Sequence, residues 1–151
     1  MKTEIYGRQP EVDTYRDLLQ NIVTWSAGEL KLPAESVTVV LSDDNQLRQM
    51  HKQYLNDDTY TDVITFNLGE SGTVEAELYI STDRARAHAA DYKVSLPEEL
   101  CRLVIHGMLH LAGLDDREPE DRRKMKALEN RLVREAGKRF YTSIFKPEPE
   151  I

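Results

Sequence analysis

Apolar residues recur along this chain of 151 residues with two periods, and the switches between them predict where strands and helices lie. Residues 3–6 read as a short first strand. Val12, Tyr15, Leu18, Leu19, Ile22 and Val23 then return at helical spacing, with Gly28 as a natural stop. Residues 37–41 form a largely β-branched run, the mark of a buried strand. Asp43 with Gln46 three positions on resembles a capping box, opening a helix whose apolar face is Leu47, Met50 and Tyr54. Residues 62–66 and 76–80 predict two more strands, joined by a turn at 69–72. Ser81 can cap a helix in which Ala85, Ala89 and Tyr92 share a face. Ser95 and Glu98 form another capping box, and Pro97 is tolerated in the first turn. The helix they open runs through Leu100, Leu103, Val104 and Leu111 and closes at Gly113. A last helix starts near Pro119, uses Met125, Leu128 and Leu132, and ends at Gly137.

The order β-α-β-α-β-β-α-α-α predicts an α/β (α+β) fold, a four-stranded mixed sheet packed with about five helices. No internal repeat or interior linker interrupts it, so residues 1–140 read as one domain. Residues 141–151 have lost periodicity and read as an extended or mobile tail.

Composition narrows the class. Hydrophobic residues make up 40% and charged residues 31%, as in ordinary globular proteins. At this length roughly two thirds of the extended surface can be buried, enough for a core without staples. The one cysteine, Cys101, excludes an internal disulfide and suits a reducing cytosol. No apolar run reaches the length of about 18 residues that a membrane span needs, and the N-terminal residues lack a secretory pattern, so a cytoplasmic protein is expected. A net charge of −7 argues against indiscriminate nucleic-acid binding but leaves room for a local basic groove.

The chemistry concentrates in residues 106–116. His106 and His110, four apart on a predicted helix, project from one face and can meet one metal ion at Zn–N distances of about 2.0–2.1 Å. Gly113 permits the chain to double back and bring Asp116 near them; Asp115 is the competing carboxylate. Two histidines and one carboxylate leave a coordination position open, the arrangement of catalytic rather than structural zinc. The spacing H-x-x-x-H-x-x-G-x-x-D is close to the metzincin pattern, yet a metzincin needs glutamate after the first histidine as general base. Gly107 stands there and transfers no proton, which disfavours a peptidase. Non-haem iron oxygenases also use two histidines and a carboxylate, but nothing in the sequence marks a co-substrate pocket.

At these residues the chain resembles the YbeY family of endoribonucleases, whose signature reads H-G-x-L-H-L-x-G-x-D-H. His106, Gly107, Leu109, His110, Leu111, Gly113 and Asp115 match it. Upstream, residues 61–66 resemble the family's T-D-V-L-S-F strand and residues 77–81 its G-D-I-x-I-S strand. Downstream, Met125 and Glu129 fall where the family has an M…E helix. The resemblance implies a metal-dependent endoribonuclease acting on single-stranded ribosomal RNA, in rRNA maturation and ribosome quality control. It implies one divalent ion, foremost Zn2+, held by His106, His110 and Asp116, with the ribosome or its associated proteins as partners and no membrane.

Three positions depart from the family pattern. Asp116 replaces its third histidine; a carboxylate neutralises more of the ion's charge and so leaves a bound water less acidic. Leu55 occupies the position of an arginine that would clamp substrate phosphate. Ala76-Glu77 replaces the G-D pair. The second reading is therefore a ribosome-associated metal-binding protein with weak or no nuclease activity.

Beyond the metal-activated water, no side chain declares itself catalytic. His51 borders the apolar face of its helix and reads first as a packing histidine, second as a proton carrier. Glu77, like Asp62, is a strand acid that could approach the cleft. His88 shares a helix with Ala85 and Tyr92 and reads as packing. Cys101 is rotated by about 140° from His106 on a regular helix and is no ligand. The basic residues of the last helix, Arg122, Arg123, Lys124, Lys126, Arg131 and Arg134, are interleaved with Glu120, Asp121, Glu129 and Glu135, which favours a solvated face laced with ion pairs.

Overall fold

The computed structural model describes residues 1–57, 59, 61–70 and 72–140. The 141–151 tail and part of the 69–72 turn lie outside the described residues. Four strands, β1 (Lys2–Gly7), β2 (Ala34–Ser42), β3 (Val63–Asn67) and β4 (Val74–Ser81), form one sheet in the order β1-β2-β4-β3. β1, β2 and β4 run parallel, and β3 lies antiparallel on the edge beside β4. Five helices complete the fold: α1 (Glu11–Glu29), α2 (Asp44–Leu55), α3 (Thr82–Tyr92), α4 (Leu96–Leu111) and α5 (Pro119–Phe140). The mixed α+β architecture expected from the sequence is the one observed.

Strand alternation decides where the core sits. In β2, Val37, Val39 and Leu41 are buried, and in β4 Ala76, Leu78 and Ile80 are buried on the same face. α1 and α4 pack against that face, contributing Leu19, Ile22, Val23, Leu100, Val104, Ile105 and Met108. Side chains of this kind each gain about 1.5–3 kcal/mol from full burial, so α4, apolar over most of its circumference, is fixed firmly at the centre. α5 covers it from outside through Met125, Leu132, Val133 and Ala136.

The helix starts follow the capping signals. Asp43 accepts from the Gln46 N–H at 2.8 Å, Ser81 from Arg84 at 3.1 Å and Ser95 from Glu98 at 3.3 Å. Two expected stops are corrected. α1 runs through Gly28 and turns at Lys31, whose φ is +53°; α5 passes Gly137 and continues to Phe140. In both cases continued packing outweighs the modest helix penalty of one glycine. The apolar face of α2 is also narrower than its spacing suggests: Leu47 is fully buried, but Tyr54 is 61% exposed. Tyr92 likewise leaves its expected face, because α3 ends there on the left-handed Lys93.

Candidate metal centre

One stripe of α4 is polar. Glu99, Arg102, His106 and His110 follow one another at spacings of three and four, so they stand in a row on one side of an otherwise apolar helix. Beyond Leu111 the chain reverses. The Gly113 N–H bonds the His110 carbonyl and the Leu114 N–H bonds that of Leu109, and Gly113 takes a φ of +95°, a conformation glycine adopts without strain. Asp115 is then committed to the turn, its Oδ1 accepting the N–H groups of Asp116 at 2.7 Å and Arg117 at 3.1 Å. That leaves the Asp116 carboxylate turned toward the histidines.

The three donors converge. His106 Nε2 and His110 Nε2 are 3.1 Å apart, and Asp116 Oδ2 lies 3.8 Å from each. Ligands at about 2.0–2.1 Å in tetrahedral geometry stand about 3.3 Å from one another, so the set has the dimensions of half-closed zinc coordination. The other ring nitrogens are fixed. His106 Nδ1 lies 2.7 Å from Glu129 Oε1, and His110 Nδ1 lies 3.2 Å from the Leu114 carbonyl oxygen. A carboxylate and a carbonyl can only accept, so both Nδ1 atoms donate, and both Nε2 atoms offer lone pairs to the space between them. Two lone pairs facing at 3.1 Å need a cation or a proton between them. The residues fit a divalent ion on these grounds.

Glu129 itself is tied down. Its side chain is 4% exposed, and its Oε2 accepts from Arg102 Nη1 at 2.7 Å and Lys126 Nζ at 2.9 Å. Burial opposes its ionisation, but these three donors outweigh burial and lower its pKa to about 2. Burial likewise opposes protonation of His106, and the bonded Glu129 carboxylate with the nearby Asp62 and Asp116 charges reverses that and raises its pKa. Sequence reasoning misses this role of Glu129, because the interleaved charges of its helix read as a solvated ion-paired face. A signal existed: Glu129 stands four after Met125 and three before Leu132, on the apolar stripe of α5.

Gly107 has a packing reason. A Cβ there would lie 2.8 Å from Leu78 Cδ2 and 3.2 Å from Thr65 Oγ1, because α4 rests directly on β4 and β3. The position faces the sheet and leaves no room for a metzincin-type glutamate.

His106, Asp116 and Asp62 form a divide between two hollows of one cleft. On one side, a hollow of about 940 Å³ is walled by α2 and β3 and includes His51, Leu55, Thr61, His110 and Arg117. On the other, a cavity of about 310 Å³ runs between α3, α4 and α5 and includes His88, Tyr92, Glu99, Arg102 and Arg122. His51 therefore shares the cleft, with its Nδ1 3.2 Å from the Thr59 carbonyl oxygen and its Nε2 3.8 Å from Asp57 Oδ2. Glu77 does not: it alternates with buried Ala76 and Leu78 and sits on the opposite face of the sheet, beside Phe66 and Thr38. Cys101 is fully buried in the core.

The sequence model of the family described as Endoribonuclease YbeY matches residues 3–137. Among curated proteins, an Endoribonuclease YbeY of Flavobacterium psychrophilum is 39% identical over 98 residues, covering 65% of this chain and 70% of that protein. Another, of Parabacteroides distasonis, is 38% identical over 114 residues, covering 71% and 80%. A solution structure of a Thermotoga maritima protein superposes with a TM-score of 0.64 at 25% identity, over 98% of this chain and 99% of that one. With the matched segment holding every residue of the His106–His110–Asp116 cleft, the chain belongs to the YbeY endoribonuclease family.

Proposed function

We propose that this protein is a metal-dependent endoribonuclease that cleaves single-stranded RNA, and that it serves rRNA maturation and ribosome quality control in the cytoplasm. The observation that carries the reading is the convergence of His106, His110 and Asp116, whose ligand atoms all lie within 4.8 Å of one another on the divide of an open cleft. The shared name of the relatives, Endoribonuclease YbeY, supports the reaction class. Two imidazoles and a carboxylate with an open side favour Zn2+ as the ion.

A divalent ion held by these residues would acidify a water and draw negative charge from the phosphodiester under attack. The chain's own part is mostly orientation. Glu129 and the Leu114 carbonyl keep the two imidazoles as Nε2 donors, and the Asp115 turn aims Asp116. Of the two weak candidates for proton transfer, His51 is favoured over Glu77, since its ring lines the cleft at the α2 wall. Residues 1–140 form the single domain that carries the site, and no described helix is long and apolar enough to cross a membrane.

His110→Ala tests the reading. Metal content by elemental analysis and cleavage of a single-stranded RNA should be lost together. Unchanged cleavage by a metal-free His110→Ala protein would sink it. The second reading, a ribosome-associated metal-binding protein with weak or no nuclease activity, draws on Leu55, which is 53% exposed on the cleft wall at the family's arginine position. RNA cleavage that survives purification and vanishes on metal removal counts against that second reading.

A further inference from the structure

The cavity between α3, α4 and α5 shares His106, Asp116 and the Glu129 cluster with the candidate metal centre and extends beyond them to His88, Tyr92, Glu99 and Arg122. At about 310 Å³ it lies at the lower end of the range that accommodates small organic groups. Its most unusual component is Glu99. The side chain is 4% exposed, and its ion-pair contact among the described residues is with His88 Nδ1 at 3.5 Å. The cations close by are engaged elsewhere: Arg102 and Lys126 both bond Glu129, at 2.7 and 2.9 Å. A buried carboxylate is normally fully satisfied by donors. Glu99 instead lines the cavity with no side-chain hydrogen bond among the described residues, so its oxygens face the cavity space, and burial pushes its pKa up.

The rim supplies two further groups. Tyr92, 71% exposed at the end of α3, presents an aromatic ring tilted 53° to His88 with centroids 6.1 Å apart. Arg122 stands on α5 at the opposite edge, and among the described residues no ion pair engages it. A buried acceptor, an exposed ring and a guanidinium with no ion pair among the described residues, arranged beside the proposed cleavage site, answer the three parts of a nucleotide: base edge, base face and phosphate.

We infer that this cavity is a nucleotide subsite that receives one unstacked guanine next to the scissile phosphate, with Glu99 reading its Watson–Crick edge. The inference rests on the reading that single-stranded RNA crosses the His106 cleft. An ionised carboxylate offers two oxygens and no donor. Guanine is the RNA base that presents two adjacent N–H donors on that edge, at N1 and N2. Adenine and cytosine each place an acceptor beside their amino group, and uracil has one N–H between two acceptors, so none of the three can satisfy both oxygens. Tyr92 would stack on whichever base arrives and add affinity without choice.

The test uses the full chain and short fluorescent single-stranded RNAs, uridine oligomers carrying one central G, A, C or U. Binding is read by anisotropy and cleavage by gel. The guanine oligomer should bind at least roughly tenfold more tightly than the other three. Glu99→Gln should erase most of that preference, and Tyr92→Ala should weaken all four oligomers by a similar factor, roughly tenfold. Wild-type cleavage without base preference would overturn the subsite while leaving the nuclease reading intact. Guanine-selective binding without any cleavage would support the subsite and sink the nuclease reading. A guanine preference that persists undiminished in a folded Glu99→Gln protein would also overturn the assignment.

Discussion

His106 and Glu129 are joined at 2.7 Å between Nδ1 and Oε1, and this bond links α4 to α5, the last described helix. Glu129 is held in turn by Arg102 and Lys126, so the orientation of one imidazole depends on three residues 4 to 23 positions away in the chain. Such outer partners raise the basicity of the coordinating nitrogen and lock its ring. Glu129→Ala should therefore lower metal affinity by about 10–100-fold with all three ligands in place. Competition with a chromogenic chelator measures this directly, and an affinity equal to wild type would refute the linkage.

Asp115 and Asp116 are adjacent carboxylates with different work. Asp115 Oδ1 takes two backbone N–H groups in the turn, whereas Asp116 Oδ2 stands equidistant from both Nε2 atoms. Asp116→Ala should strip most of the bound metal. Asp115→Ala should retain most of it while costing about 1 kcal/mol of stability from lost turn hydrogen bonds. Elemental analysis beside urea denaturation separates the two, and the reverse pattern would exchange their roles.

How much of this was legible beforehand follows from range. The i, i+4 histidines, the Gly113 reversal and the caps at Asp43, Ser81 and Ser95 are local, and local spacing encodes them. The β-branched run 37–41 is enough to mark a buried strand, and the structure shows that Val37, Val39 and Leu41 are its residues in the core. What spacing could not convey is which face of a polar residue meets which distant element. Glu129 reads as surface although it lies on the apolar stripe of α5, because the interleaved charges around it mask the periodicity. Glu77 reads from the sequence only as a strand acid that could approach the cleft, and strand parity with Ala76 and Leu78 turns it to the other face. Glu99 showed no signal until the polar stripe of α4 was seen against α3 and α5.

Gly107 explains a chemical absence by packing. Since a Cβ would already meet Leu78 at 2.8 Å, Gly107→Glu should not confer peptidase activity. It should instead destabilise the protein by about 1–3 kcal/mol or more through overpacking against β4. Denaturation midpoints and a generic peptide-hydrolysis assay give both readings. A stable, peptide-cleaving variant would contradict the argument.

Glu99 should carry a stability cost that depends on pH. Burial raises its pKa, and the favourable charges of His88 and Arg102, set against the unfavourable ones of Asp62 and Glu129, do not cancel that effect. A carboxyl with a raised folded pKa contributes its stability below the unfolded value of 4.5 and loses it as pH rises through the folded value. Glu99→Gln should therefore be more stable than wild type at neutral pH, and the difference should shrink as pH falls toward 4.5. Thermal melts of the metal-free proteins across this range read the sign. A variant less stable at pH 7 would mean that the carboxylate is satisfied in the folded chain.

Leu55 offers the converse experiment, a gain. It lies at the C-terminal end of α2, 53% exposed, on the wall of the hollow that also contains His51 and His110. Because the side chain has little to lose from substitution, Leu55→Arg should leave stability within about 0.5 kcal/mol of wild type. One new guanidinium facing the path of a phosphate should tighten single-stranded RNA binding. It should also steepen the dependence of log K on log salt by about 0.7, the signature of one more neutralised phosphate. Anisotropy titrations at several salt concentrations measure the slope. If the arginine also acts on the reacting phosphate, kcat for cleavage should rise together with affinity, since charge stabilisation at the transition state then adds to ground-state binding. A steeper slope with unchanged kcat would confine the position to substrate capture. An unchanged slope would mean that the RNA does not pass the α2 wall at all.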